Sequence, residues 1–178
     1  MKKIIFIISF LIFFVIVFSF LYLLILDRNP SEVPSALINK EVPNFKTSSL
    51  FNNKNFDSIK IFNNETIIVN FFASWCKPCQ IEHRYIEKLS KQNIKIIGIN
   101  YKDKTNDAIK WLNKLGNPYH SIAQDMNGEI AIDWGVYGIP ETFIIGSKNI
   151  IRYRHVGPIT KNNYNNFYSK ILKIQKND

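Results

Sequence analysis

The chain holds two cysteines, and both stand in one short segment, Trp75-Cys76-Lys77-Pro78-Cys79. Thiols two residues apart can close a small disulfide ring and reopen it with little backbone change, which is the chemistry of thiol–disulfide exchange. A static disulfide and a metal site are the competing readings of a bare pair. The surroundings favour exchange. The segment directly follows Thr66-Ile67-Ile68-Val69-Asn70-Phe71-Phe72, a β-branched, apolar run that reads as a buried strand. It opens a stretch with helical spacing over 76–91, with Ile81, Tyr85, Ile86 and Leu89 on one side. A helix N-terminus carries unpaired N–H groups and the positive end of the dipole, so it stabilises a thiolate. Pro78 fits there, because the first turn has no helical partner for the N–H that proline lacks. Cys76, the outer residue, is expected to be exposed and to attack. Cys79, one turn further in, is expected to displace it. Trp75 is expected to shield the disulfide and offer a stacking face to a substrate.

The elements that must position this pair alternate in type. Residues 36–64 read as an opening strand and hairpin, with Val42-Pro43-Asn44-Phe45 and a turn at Asn52-Asn53. After the cysteine helix, Ile94-Lys95-Ile96-Ile97-Gly98-Ile99-Asn100 reads as a strand, and 105–115 as a helix closed by Gly116-Asn117-Pro118. Thr142–Ile145 and Ile150–Val156 read as strands joined by a turn at 146–149, and a last helix runs from Thr160 to Ile174. Such an order predicts an α/β sandwich around a mixed sheet. Pro140 follows Gly138-Ile139 and precedes a strand, so a bend is required there.

Ile4 to Leu26 is 23 residues without a charge. As a helix it spans about 34 Å, slightly more than a bilayer's hydrocarbon core. A cleaved signal peptide is the alternative, but the run is longer than such regions, and Ile25-Leu26-Asp27-Arg28 offers no small-residue cleavage site. Lys2 and Lys3 precede it, while Asp27 and Arg28 cancel, so the N-terminus is expected in the cytoplasm and the rest on the far side. The expected division is an uncleaved anchor over 1–28, a linker over 29–35 and one α/β domain over 36–178. The whole chain carries +9; without Lys2, Lys3, Arg28 and Asp27 the remainder carries 20 basic and 13 acidic residues. The lysines are scattered with no basic run, which argues against nucleic acid as a partner.

The sequence resembles the thioredoxin superfamily and, within it, the membrane-anchored thiol:disulfide interchange family of cytochrome c biogenesis called DsbE or CcmG. The resemblance rests on Asn70–Cys79 followed by Glu82-His83, on Gly98-Ile99-Asn100-Tyr101-Lys102-Asp103 and on Gly116-Asn117-Pro118-Tyr119. It rests most on Asp133-Trp134-Gly135-Val136-Tyr137-Gly138-Ile139-Pro140-Glu141-Thr142-Phe143, continued by Arg154-His155-Val156-Gly157-Pro158. It implies a thioredoxin-like fold and a redox-active Cys76–Cys79 disulfide with no other cofactor and no metal. It implies a dithiol that reduces the haem-attachment cysteines of apocytochrome c, or an assembly partner's disulfide, in the periplasm. Recharging by a transmembrane thiol reductase of the DsbD or CcdA kind at the bacterial inner membrane follows from the same resemblance. It also implies a cis Pro140, with the Ile139 backbone beside Cys76 as a place for a cysteine-containing peptide.

The direction of electron flow turns on charge. A strongly stabilised thiolate makes an oxidant. Lys77 pushes modestly that way; Glu82 and Glu141, if near the sulfurs, push toward a reductant, which is the expectation. Two departures stand out. Asn70 occupies the position of a buried aspartate that thioredoxins use as proton acceptor, so water or a glutamate such as Glu141 must deprotonate Cys79. Arg84 replaces the proline that this family usually has after Glu82-His83. Trp134 and Tyr137 are expected as packing residues near the site, and His83 as a surface histidine; His120 and His155 have no partner motif. Competing functions are a general reductase of exported proteins and a copper metallochaperone, the latter disfavoured by the two-residue spacer.

Overall fold

The computed structural model describes residues 2–25, 35–52, 54–62 and 65–178. It divides into two compact units, Met1–Pro30 and Ser31–Asp178. The expected linker over 29–35 lies outside the described residues except for Ser35, and Asn53 of the expected turn lies outside them as well.

The first unit is one helix, α1 (Lys2–Ile25), apolar all round and without an acidic residue in its first turn. It is long and apolar enough to cross a membrane.

The second unit opens with the hairpin β1 (Lys46–Ser48) and β2 (Asn55–Asp57), paired antiparallel, and a single turn of helix, α2 (Ser58–Ile61). Then follow β3 (Ile67–Phe72), α3 (Lys77–Ser90), β4 (Ile96–Tyr101), α4 (Thr105–Leu115), β5 (Ser121–Asp125), α5 (Glu129–Asp133), β6 (Glu141–Ile145), β7 (Ile151–Val156) and α6 (Tyr164–Asn177). The main sheet has the order β5-β4-β3-β6-β7. β3, β4 and β5 run parallel; β6 and β7 pair antiparallel to their neighbours.

Every residue of β3 is buried, as a central parallel strand covered on both faces must be. Alternation divides its side chains. Ile68 and Phe72 pack with Ile86 and Leu89 of α3, Ala108 and Leu112 of α4, and Phe167 and Ile171 of α6. Ile67, Val69 and Phe71 face the other layer, where Phe62, Ile130, Phe143 and the fully buried Trp134 fill the core. Trp134 is therefore a core residue, its ring 5.7 Å from Phe71 and 5.2 Å from Phe143.

The strand β5 and the short α5 have no counterpart in the sequence expectation. Ser121-Ile122-Ala123-Gln124-Asp125 is short and half polar, and its polar side chains are held by tertiary bonds: Gln124 donates to Thr105 Oγ1 and accepts from Ser48 Oγ. Helix α6 starts at Tyr164 rather than Thr160, because Asn163 Oδ1 accepts the Thr160 N–H and its amide donates to the Pro158 carbonyl, which keeps the preceding turn irregular.

Candidate active site

Cys76 is the N-cap of α3, with Lys77 and Pro78 in the first turn. Its Sγ accepts the Cys79 N–H at 3.1 Å, one of the donors that a helix start leaves free. Cys76 and Cys79 are joined in a disulfide, with Cα atoms 5.3 Å apart. Cys79 is 1% exposed and Cys76 only 4%. The outer cysteine is thus less open than the sequence suggests, because in the closed disulfide its sulfur lies back against the Ile139 carbonyl, 3.7 Å away. Trp75 (57% exposed), Lys77 and Pro78 surround it at the surface. The Ile139-Pro140 peptide is cis.

Two clamps hold the parts in place. On one side, Asp103 is buried after β4; its Oδ2 accepts the Ser74 N–H at 2.6 Å and its Oδ1 the Ser74 hydroxyl at 2.8 Å. Asn100 donates to the same carboxylate at 3.0 Å, and the Trp75 indole N–H donates to the Lys102 carbonyl at 3.1 Å. The loop after β4 therefore grips the turn that delivers Cys76. Trp75 is fixed by this bond and stands outward. Sequence reasoning missed Asp103; its signal was a carboxylate at a strand's end, within a stretch that already carried the family resemblance.

On the other side, Glu141 and Arg154 form a buried ion pair, with Arg154 Nε and Nη2 each 2.7 Å from Glu141 Oε2. The second oxygen of Glu141 accepts the Tyr137 and Gly138 N–H groups at 2.8 and 3.3 Å. Tyr137 lies over the Arg154 guanidinium, 4.6 Å from ring centroid to Cζ, and is 75% exposed. Glu141 thus shapes the loop that carries Ile139 and Pro140. Its Oε2 is paired with Arg154, so it is no free negative charge, and strand alternation turns it from the face that carries Thr142 and packs against Cys79.

Beneath α3 a cross-strand row runs through the sheet, Ile122, Gly98, Asn70, Thr142 and His155 in turn, and its last three members are polar. Asn70 donates to Glu82 Oε1 at 2.8 Å and to Thr142 Oγ1 at 3.0 Å, and accepts the Tyr119 hydroxyl at 2.8 Å. Glu82 Oε2 accepts the Ile159 N–H at 3.0 Å. Glu82 is 1% exposed, so it is no solvated helix residue. Burial pushes its carboxyl up to about 8, against the opposing hydrogen bonds from Ile159 and Asn70. At neutral pH it is mostly uncharged and supplies little standing negative charge to the sulfurs. Cys79 and Glu82 lie three residues apart on the inner side of α3, so they share a helix face.

His83 is also buried, on the same helix side; its Nε2 lies 2.9 Å from the Gly116 carbonyl, and burial holds its pKa below the ordinary histidine value. It turns to Gly116, and among the described residues no group of three or more His, Cys, Asp or Glu is arranged to hold a metal. His155 is buried beside Asn163 and Phe167, again with a lowered pKa from burial. Arg84 is exposed, its guanidinium 4.9 Å from the Tyr85 ring centroid.

Residues 37–170 match the redoxin family. The chain is 42% identical over 152 residues to the thiol:disulfide interchange protein DsbE of Vibrio cholerae, covering 83% of each chain. It belongs to the DsbE family. The Escherichia coli K12 DsbE is 40% identical over 163 residues, 89% of this chain and 88% of that one. A Chlorobium tepidum crystal structure assigned to DsbE superposes with a TM-score of 0.70 at 21% identity, over 79% of this chain and 99% of that one, a likeness that speaks to the fold. The fold is thioredoxin-like, and the activity of this family is disulfide exchange between thiols. Oxidoreductases of this kind work through a protein dithiol and need no further cofactor.

Proposed function

We propose that the chain is a membrane-anchored reductant of cytochrome c maturation, donating electrons to the haem-attachment cysteines of apocytochrome c or to an assembly partner's disulfide. The observation that carries the chemistry is the Cys76–Cys79 pair on the first turn of α3, with the Ile139 carbonyl 3.7 Å from Cys76 Sγ. In the reduced protein, Cys76 thiolate is stabilised by the Cys79 N–H and the helix start. It attacks one sulfur of the client disulfide; a mixed disulfide forms and the client's other sulfur leaves as a thiolate. Glu82, in its ionised fraction, takes the proton of Cys79, and Cys79 attacks Cys76 Sγ. The mixed disulfide breaks, the client leaves with two reduced sulfurs, and the Cys76–Cys79 bond is made. Asp103 and Arg154–Glu141 hold the two loops between which this takes place, and Ile139 offers its main chain to an extended client segment.

The reducing direction rests on the cytochrome c biogenesis resemblance and on the Lys77-Pro78 spacer, which lacks a histidine to pair with the thiolate. It does not rest on acidic charge, since Glu82 is mostly neutral at pH 7 and Glu141 is paired. A transmembrane thiol reductase of the DsbD or CcdA kind recharges the pair. Helix α1 is the single-pass anchor in a bacterial inner membrane, with Lys2 and Lys3 on the cytoplasmic side and the disulfide domain in the periplasm. Nucleic acid is not a partner.

The test is trapping in cells with full-length Cys79→Ala, which cannot resolve the mixed disulfide through Cys76. Recovery of an apocytochrome or its assembly partner as the dominant adduct supports the reading. A broad set of unrelated exported proteins supports a general reductase instead. Absence of any adduct overturns both.

A further inference from the structure

Tyr119, between α4 and β5, enters the site from the side opposite Thr142. Its ring stacks on Phe72, with centroids 4.7 Å apart and planes within 15°. Gly98 makes room for it: a Cβ there would come within 3.0 Å of Tyr119 Cδ1 and 2.9 Å of Phe72 Cε1. The Tyr119 side chain is buried, and its hydroxyl donates to Asn70 Oδ1 at 2.8 Å. That bond decides which way the Asn70 amide faces. With Oδ1 toward Tyr119, both amide hydrogens are delivered to Glu82 Oε1 and Thr142 Oγ1. Rotating the amide by half a turn would aim its oxygen at Glu82 and leave the Tyr119 proton with no acceptor, a cost that burial makes large.

We infer that Tyr119 is a positioning residue for the resolving step: through Asn70 it keeps hydrogen-bond donors on Glu82, so that Glu82 can take the proton of Cys79. The inference deepens the proposed function and rests on Glu82 being that acceptor. Donors on a carboxylate favour the ionised form, whereas an amide oxygen facing it favours the protonated form. Within the site the tyrosine hydroxyl therefore works against the burial that raises Glu82. Among the described residues no charged side chain hydrogen-bonds to Glu82, and the other groups of this region come from several elements. Cys79 and His83 come from α3, Thr142 from β6, His155 from β7 and the Ile159 N–H from the following loop. Burial keeps both histidines below their ordinary value. Lys170, which acts on His155, does so with a lowering effect of its own.

The test is single-turnover release of glutathione from a Cys76–glutathione mixed disulfide on the full-length protein in detergent, followed across pH. Wild type shows a rate that rises through a midpoint set by Glu82; Glu82→Gln abolishes that rise and leaves only the one at higher pH from ionisation of the Cys79 thiol itself. Tyr119→Phe is expected to move the midpoint up by about 0.5–1 pH unit, with about a three- to ten-fold loss below it and an unchanged plateau. 3-Fluorotyrosine at position 119 keeps the ring and strengthens the donor, so it is expected to move the midpoint down; it serves equally if the phenylalanine variant does not fold. An unmoved midpoint in either variant, with the rise still abolished in Glu82→Gln, overturns the role of Tyr119. A rise that persists at the wild-type midpoint in Glu82→Gln overturns the role of Glu82, and the inference with it.

Discussion

Arg154 Nη2 lies 2.7 Å from Glu141 Oε2, and the two side chains are 3% and 0% exposed. A buried pair of this kind is costly to break from one side, because the remaining charge is stranded. Arg154→Met is expected to destabilise the protein by about 3–5 kcal/mol, and Arg154→Met with Glu141→Gln by clearly less than that. Urea denaturation of the four corners of the cycle checks it; a double-variant loss equal to the sum of the two single losses would show that the pair is not coupled.

The grip of Asp103 on Ser74 should matter more for rate than for fold. Asp103→Ala leaves the Ser74 N–H and hydroxyl and the Asn100 amide without their acceptor, at about 1–3 kcal/mol. Ser74→Ala removes one of these bonds and should lose less. The expected outcome is a slower attack of Cys76 on a peptide disulfide in the same order, measured with the protein still folded by circular dichroism.

Glu82 makes stability depend on pH with a definite sign. Its folded value is raised from 4.5 to about 8, so its contribution is fully present below pH 4.5 and is lost as the pH rises through 8. The stability of wild type relative to Glu82→Gln should therefore fall between pH 4.5 and 8, by at most ~5 kcal/mol. Thermal melts of the oxidised proteins at pH 4.5, 6 and 8 read it directly. A constant difference across that window would mean the carboxyl titrates as it does in the unfolded chain.

Gly98→Ala is a packing test of the same region. The added methyl meets Phe72 and Tyr119 ring atoms at 2.9 and 3.0 Å, so one ring must give way. A loss of about 1–3 kcal/mol is expected. The exchange rate should fall further than stability alone explains, because the Tyr119–Asn70 bond is displaced with the ring.

What the sequence made legible follows from how local each signal is. The strand at 67–72, the helix at 105–115 and the placing of the cysteines at a strand-to-helix junction depend on patterns within a dozen residues. Strand β5 was not legible, since its polar residues are satisfied by Thr47, Ser48 and Thr105 from distant parts of the chain. The acid–base roles were read least well. Glu82 and Glu141 read as standing negative charges beside the sulfurs, until β3 and the 156–160 loop were seen to bury Glu82 and Arg154 on the next strand to pair with Glu141. Burial of a charged residue is decided by what packs upon it, and no spacing within one helix announces it.

The main-chain N–H of Ile159 reaches Glu82 across 77 positions of sequence. Lengthening or shortening the connection between β7 and α6 would lift that donor away and retune an acid 77 residues upstream, with no cysteine touched. Loop engineering there offers a handle on reactivity that leaves every sulfur and every strand in place.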